Sequence, residues 1–254
     1  MKNSFFDRNS CAKVFFVIAL SLLFRLFYSS HIDVAGIGDI NGDGDQVFYL
    51  QGAKSIFESG SYSIDGSPTY FRAPLYSYLI SVLYSPSSFV WASNIFFFQS
   101  SLTYLSSILF GFAISREYGF RNSLLWLALW LWSPYAFIQD RLVLQESLYT
   151  SLLVSILACC LILNDPSSRI SRLYILPCIL GLLLGLASIT REVYALYPLL
   201  LFPALAFHLT LRPFLKVRSL VISGLVMLLT ITPWIHRNFL LAPGAPFISK
   251  GVMG

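Results

Sequence analysis

The residues with the clearest chemical potential are carboxylates and arginines at the borders of the apolar segments. The run Asp39-Ile40-Asn41-Gly42-Asp43-Gly44-Asp45 begins the only long polar stretch of the chain. Further along, Arg141 and Glu146, and then Arg191 and Glu192, stand at the ends of apolar runs. A carboxylate in a polar cavity is suited to accept a proton, and a guanidinium is suited to bind a phosphate. Acid–base chemistry beside a phosphate is therefore the first hypothesis.

The acidic run has part of the pattern of a calcium loop. Asp39, Asn41 and Asp43 match positions 1, 3 and 5 of an EF-hand, and Gly44 matches position 6. Position 12 is Leu50, where calcium needs a bidentate carboxylate. The pattern therefore favours a plain Asp/Gly turn. A divalent metal remains an alternative, with Asp39, Asn41 and Asp43 as weak candidates for its ligands.

The composition requires lipid as the solvent for much of the chain. The 254 residues are 56% hydrophobic and 11% charged, whereas a soluble domain carries about 25% charged residues. The net charge of +5 comes from short basic clusters between apolar runs, so no nucleic-acid partner is expected. The four cysteines lie in or beside apolar runs without metal-ligand spacing, so no disulfides are expected.

Apolar runs that approach the length of a membrane span, about 20 residues, recur along the chain. They predict about seven spans, at roughly 11–29, 92–115, 122–139, 144–163, 173–190, 194–211 and 219–236. The first run lacks a small-x-small cleavage pattern, so we interpret it as an uncleaved span and not as a signal peptide. Without repeats or linkers, residues 1–254 are predicted to form one all-α domain, a polytopic transmembrane helical bundle.

The distribution of charge predicts a cytoplasmic N-terminus. In that orientation 10 of the 17 Lys and Arg residues fall inside, in agreement with the positive-inside rule. Nine of the 12 acidic residues then fall outside. Acidic residues contribute little to topology, so this asymmetry needs another cause. Charged residues near the outer ends of spans are costly unless they face a polar cavity or a partner, and we therefore infer an outward-facing polar cavity. A multi-pass protein of the plasma (inner) membrane is expected.

Residues 30–91 form the predicted first extracytoplasmic loop, which carries two amphipathic interfacial helices. The first begins near Asp45 and ends near Gly60, and its apolar face consists of Tyr49, Ala53, Ile56 and Phe57. Asp45 lies one turn from Tyr49 on the same face, either as an N-cap or as a functional residue. The second helix follows Arg72-Ala73-Pro74 and has an apolar face of Leu75, Leu79, Val82 and Leu83.

A second polar face is predicted near residue 145. Arg141, Gln145, Glu146 and Tyr149 fall within an arc of roughly 140° on a helix that turns about 100° per residue. One helix face would then line the polar cavity. Asp140 lies off this arc, and we predict that it is structural or solvated.

Six motifs in order resemble one family. They are Arg25-Leu26-Phe27-Tyr28, Asp45-x-x-x-Tyr49, Phe71-Arg72-Ala73-Pro74-Leu75-Tyr76, Ser133-Pro134-Tyr135 through Arg141 to Gln145-Glu146-Ser147-Leu148, Gly181 to Arg191-Glu192, and Thr232-Pro233-Trp234-Ile235-His236-Arg237-Asn238. Together they resemble the GT-C membrane glycosyltransferases, in the branch of protein O-mannosyltransferases and lipid A aminoarabinose transferases. The match covers nearly the whole chain and corresponds to the N-terminal membrane half of the family.

The resemblance implies transfer of a sugar from a polyprenyl-phosphate donor on the extracytoplasmic side. It implies a catalytic base in the first loop, where Asp45 matches, although the family usually has Asp-Glu and this chain has Asp45-Gln46. Family members are about twice as long, so a fragment, a truncated gene product or a minimal relative are alternatives. The acceptor would be a lipid, a glycan or a protein.

Four arginines are candidates for the donor phosphate because a guanidinium binds phosphate oxygens in a bidentate manner. They are Arg72, Arg141, Arg191 and Arg237. The residues expected to line the cavity are Tyr49, Gln145, Glu146, Tyr149 and Glu192. The arginines could instead pair with Glu146 and Glu192, and two other functional classes stay open. These are a lipid or sugar transporter and a non-catalytic membrane subunit.

Overall fold

The part of the protein that the structure describes is almost entirely helical. The computed structural model describes residues 8–31, 44–70, 72–164, 172–191, 195–208 and 213–241. These residues form α1 (Arg8–His31), α2 (Asp45–Ser59), β1 (Ser63–Ile64), β2 (Ser67–Pro68), α3 (Leu75–Ser81), α4 (Ser88–Tyr118), α5 (Phe120–Leu131), α6 (Pro134–Arg141), α7 (Glu146–Asn164), α8 (Arg172–Ser188), α9 (Tyr197–His208) and α10 (Pro213–Leu241). The predicted all-α class is confirmed.

Four of the described helices are long and apolar enough to cross a bilayer. Their apolar segments are Asn9–Phe27, Ser88–Tyr118, Glu146–Asn164 and Val217–Leu241. Two further apolar segments, Tyr174–Ser188 and Tyr197–Ala206, are shorter. Large apolar side chains such as Phe15 and Leu23 on α1 are exposed, as expected for contact with lipid. These helices are compatible with a multi-pass membrane protein, and the count of seven stays a prediction.

The span predicted at 122–139 is divided into two helices. α5 ends at Leu131 and α6 begins at Pro134, with Ser133 between them in an extended conformation. The residue before a proline is disfavoured in the α region, while proline itself suits the first turn of a helix. Ser133-Pro134 therefore ends one helix and begins the next.

The contacts between Cα atoms divide the chain into two compact units. The first comprises Met1–Gln46 and Ser85–Ala158, and the second comprises Val47–Tyr84 and Cys159–Gly254. This division does not test whether residues 1–254 form one domain, and the single domain stays a prediction. The two units are described separately below.

In the first unit, α5 packs against both α1 and α4. The buried apolar cluster consists of Val14, Tyr104, Phe120, Leu127 and Leu131. Ser21 of α1 donates a hydrogen bond to the carbonyl of Leu131 over 3.0 Å, and its hydroxyl lies 2.8 Å from that of Tyr104. Apolar packing and buried hydroxyl bonds together hold α1 in this unit.

In the second unit, α8 and α10 approach closely because two glycines of α8 face α10. A Cβ atom added at Gly181 would lie 2.9 Å from Cβ of Val226, and one added at Gly185 would lie 2.5 Å from Cβ of Thr230. Small residues spaced by four allow such contact between membrane helices. Ser223 of α10 adds a hydrogen bond of 2.9 Å to the carbonyl of Pro177.

We expect Gly185→Ala to destabilise the protein by about 1–3 kcal/mol, because the new methyl group overpacks this contact. Gly224→Ala on α10 is the matched control, since its nearest heavy atom would be Cε2 of Phe202 at 3.6 Å. The measurement is chemical unfolding in mixed micelles. Equal stability of the Gly185→Ala variant and the wild type would show that the helices are not in close contact there.

The first loop contains α2, a tight hairpin and α3. α2 ends where the sequence predicts, because Gly60 has φ +71° and terminates the helix. The hairpin was not predicted: Ser63 pairs with Pro68 and Ile64 with Ser67, around Asp65 and Gly66, which both have positive φ. Asp-Gly is a preferred pair for such type I′ turns.

The residues that the loop helices bury within the protein differ from their predicted apolar faces. On α2, Tyr49 and Ala53 of the predicted face are buried, whereas Phe57 is 60% exposed. On α3 the buried residues are Tyr76, Ser77, Ile80 and Ser81, and not Leu75, Leu79, Val82 and Leu83. α3 is anchored by an edge-to-face contact of 5.1 Å between the rings of Tyr76 and Tyr49. This aromatic contact helps to orient α3 within the protein, and contact of its predicted apolar face with the membrane interface stays a prediction.

Candidate functional site

Tyr62 is the centre of the loop packing in the second unit. Its side chain is 1% exposed and forms a cluster with Ala73 and Trp234. The ring centroids of Tyr62 and Trp234 are 5.7 Å apart. A Cβ atom at Gly52 of α2 would lie only 2.5 Å from Cε2 of Tyr62, so that position has room only for glycine. The hairpin is thus fixed to α2 and to α10 through one side chain.

Two predicted phosphate ligands lie close to Tyr62. Burial raises the pKa of the Tyr62 hydroxyl to about 12, although the positive charges of Arg237 and Arg72 act in the opposite direction. Tyr62 is therefore neutral at physiological pH. Its hydroxyl donates a hydrogen bond of 3.4 Å to the backbone carbonyl of Arg72.

Arg237 of α10 contacts the hairpin directly. Its Nη1 donates to the carbonyl of Thr69 and its Nη2 to the carbonyl of Tyr62, each over 2.9 Å. The guanidinium also lies over the ring of Trp234, 4.4 Å from its centroid. The structure thus directs two nitrogens of this predicted phosphate ligand towards backbone oxygens of the loop.

Arg191 lies near the same cluster at the end of α8. The amide of Leu75 donates to the carbonyl of Ile189 over 3.1 Å, and Ile189 packs against the cluster of Tyr62. Arg191 follows two residues later and is half-buried. Stretches bearing Arg72, Arg191 and Arg237 are therefore held together in one unit, while Glu192 lies outside the described residues.

Asp45, the predicted base, is the first residue of α2 and is exposed. Tyr49, one turn later, is 1% exposed and packs against Tyr76. Asp45 and Tyr49, predicted to share one face, therefore differ in their exposure. Asp45 is accessible to a reactant, whereas Tyr49 is a packing residue whose role in lining a cavity is not supported by its burial.

The single polar face predicted for Arg141, Gln145, Glu146 and Tyr149 is wrong in one respect. Arg141 ends α6, Leu142 is extended, and Glu146 begins α7. The guanidinium of Arg141 lies 5.3 Å from the ring centroid of Phe96. Gln145 is 7% exposed, while Glu146 and Tyr149 are half-buried. A single face would require one continuous helix, and the extended residue Leu142 lies between α6 and α7.

Asp140 is the centre of a buried polar network in the first unit. Its carboxylate forms an ion pair with Arg25 of α1, with side chains 1% and 3% exposed. Thr103 donates to Oδ1 over 2.8 Å, and Ser147 donates to the same oxygen over 2.6 Å. Asp140 is therefore structural, one of the two roles predicted, and not solvated. A small pocket, lined by residues that include Thr103, Tyr135 and Ser147, adjoins it.

The ion pair of Arg25 was not predicted, although the position of this residue in the sequence carries a signal for it. A charged residue within a predicted span requires a partner or a cavity, and Arg25 lies within the apolar segment Asn9–Phe27. The sequence does not identify which of the 12 acidic residues is that partner.

The possible metal ligands Asp39, Asn41 and Asp43 lie outside the described residues. Within the part of the chain that the structure describes, no group of three or more His, Cys, Asp or Glu side chains could hold a metal ion. A divalent metal thus stays an open alternative from the sequence.

Comparison with protein-family models, with curated proteins and with solved structures finds no match to this chain. The functional proposal that follows therefore depends on the described residues and on the motifs of the sequence.

Proposed function

We propose that the protein transfers a sugar from a polyprenyl-phosphate donor to a lipid, glycan or protein acceptor on the extracytoplasmic side of the membrane. The observation that carries this proposal is the convergence of arginine-bearing stretches around Tyr62, Ala73 and Trp234. When the bond between the sugar and the phosphate breaks, negative charge develops on the leaving oxygen. Fixed guanidinium groups stabilise that charge in the transition state.

Asp45 is assigned the role of general base. Its carboxylate would accept the proton of an acceptor hydroxyl or amine while the acceptor atom attacks the anomeric carbon. The bond from that carbon to the phosphate oxygen breaks in the same step, so the configuration inverts and polyprenyl phosphate leaves. The exposure of Asp45 at the beginning of α2 supports this role.

Arg72 and Arg191 are assigned to the phosphate, whereas the role of Arg141 stays a prediction from the sequence. We expect Arg72→Lys and Arg191→Lys each to weaken binding of a polyprenyl-phosphate analogue roughly tenfold, because a point charge loses bidentate geometry. Arg218→Lys is the matched control, since Arg218 lies near the start of α10 and contacts Tyr174 of α8. The measurement is a binding titration in nanodiscs. Unchanged affinity in both variants would remove the proposed donor site.

A second candidate function is transport of a lipid or sugar. The observation in its favour is the ion pair of Arg25 and Asp140 beside a small pocket, because buried charges in spans can mark a substrate path. The saturation of Oδ1 of Asp140 by two hydroxyls favours a structural role instead. Transport lost in Asp140→Asn without loss of stability would favour the transporter.

A further inference from the structure

We infer that Arg237 is a positioning residue: it closes the open end of the first-loop hairpin and thereby fixes the backbone that carries Arg72. The role of Arg72 in this inference rests on the proposed function. The closure of the hairpin by Arg237 is independent of it.

The geometry of the guanidinium carries the first step. Tyr62 and Thr69 are the residues that flank β1 and β2, and Arg237 donates to both of their carbonyls over 2.9 Å. The amide of Thr69 also donates to the carbonyl of Tyr62, over 3.3 Å. A planar guanidinium can bridge two acceptors in fixed directions, whereas an ammonium is a point charge on a flexible stem. Arginine is thus specifically suited to join the two arms of this hairpin.

Side chains transmit this constraint from the hairpin to Arg72. The Tyr62 hydroxyl donates to the Arg72 carbonyl over 3.4 Å, and Ala73 packs in the same buried cluster. Glycine at position 52 lets the Tyr62 ring contact α2 without a clash. A shift of the Tyr62 backbone would therefore move the segment that places the Arg72 side chain.

The contacts of Arg237 argue against a direct role at the phosphate. Nη1 and Nη2 both donate to backbone carbonyls, and Nη1 also donates to Oδ1 of Asn238 over 3.2 Å. Binding a phosphate through this fork would leave carbonyls of the hairpin without their charged donor, which costs free energy in a partly buried site. Arg237 therefore acts through the loop.

The first experiment measures the order of the hairpin and needs no activity. A spin label is attached at Ser67→Cys, an exposed position on β2, in a background that lacks the four native cysteines. We expect Arg237→Lys to increase the mobility of this label, and Arg218→Lys to leave it unchanged. A label that is equally immobile in the wild type and in Arg237→Lys would overturn the closure.

The second experiment is a double-mutant cycle on donor binding, measured with a polyprenyl-phosphate analogue in nanodiscs. We expect Arg237→Lys to weaken binding about threefold to tenfold. In an Arg72→Ala background it should cause no further loss, because both changes act on the same contact, the one between Arg72 and the donor phosphate. Losses that multiply would show that Arg237 contacts the donor itself and would overturn the inference. If the wild type does not bind the analogue, the proposed function fails, and the label mobility alone decides whether Arg237 closes the hairpin.

Discussion

Asp45→Asn is expected to lower sugar transfer by a factor of about 10²–10⁴, because an amide cannot accept the acceptor's proton. The fold should be preserved, since Asp45 is exposed at the beginning of α2. The lost interaction with the positive end of the helix is worth only about 0.3–1 kcal/mol. The measurement is transfer from a labelled polyprenyl-phosphate sugar in proteoliposomes, together with circular dichroism of each variant.

The matched control for this experiment is Asp65→Asn in the same loop. Asp65 occupies the turn of the hairpin with φ +50°, a conformation that asparagine adopts readily. Its amide should therefore leave both fold and transfer close to normal. Near-normal turnover of Asp45→Asn would place the base elsewhere, with Asp43 or Glu146 as the next candidates.

Asp140→Asn is expected to destabilise the first unit by about 3–5 kcal/mol, because it leaves the charge of Arg25 buried without its carboxylate. Arg25 is 2% exposed, so water cannot replace the lost partner. The free energy of unfolding in mixed micelles is the measurement. Glu58→Gln serves as the control, since the pair of Lys54 and Glu58 is exposed at 3.9 Å and contributes little.

A double replacement separates the ion pair from packing. Arg25→Leu with Asp140→Leu removes both charges together, and buried ion pairs exchanged for apolar residues often retain stability. We expect the double variant to be more stable than Asp140→Asn alone. A double variant less stable than Asp140→Asn would contradict this. It would mean that the hydrogen bonds of Thr103 and Ser147 to the carboxylate contribute more to stability than the charge of Arg25 does.

Local features of the loop are predictable from sequence because they need only neighbouring residues. α2 and its end at Gly60 depend on helical spacing and on one glycine with positive φ. The hairpin was missed although Asp65-Gly66 is a typical turn pair, because strands of two residues show no alternating pattern.

Features that depend on distant contacts are not predictable in this way. The partner of Arg25 is 115 residues away in Asp140, and no spacing rule connects them. The buried face of α3 was not predictable from apolarity, because apolar residues such as Val82 are exposed in this structure, while Tyr76 and Ser77 are buried. In a membrane environment apolarity does not distinguish a lipid-facing side from a protein-facing one.

The predicted polar face near residue 145 failed for a different reason. Pro134 begins a short helix that ends at Arg141, and Leu142 is extended with ψ 141° before α7 begins. Proline marks where a helix can begin, but the sequence does not state how soon the helix must end.

The convergence of the arginine-bearing stretches in the second unit was also not predictable from local sequence, because it depends on the packing of Tyr62, Ala73 and Trp234.

Photo-crosslinking with a polyprenyl-phosphate sugar that carries a reactive group next to its phosphate tests the central claim most directly. We expect saturable labelling of the chain in nanodiscs, competed by unlabelled polyprenyl phosphate, with the modified peptides containing Arg72 and Arg191. Labelling that does not saturate, or that falls only on exposed apolar residues of α1 such as Phe15 and Leu23, would contradict the proposed donor site.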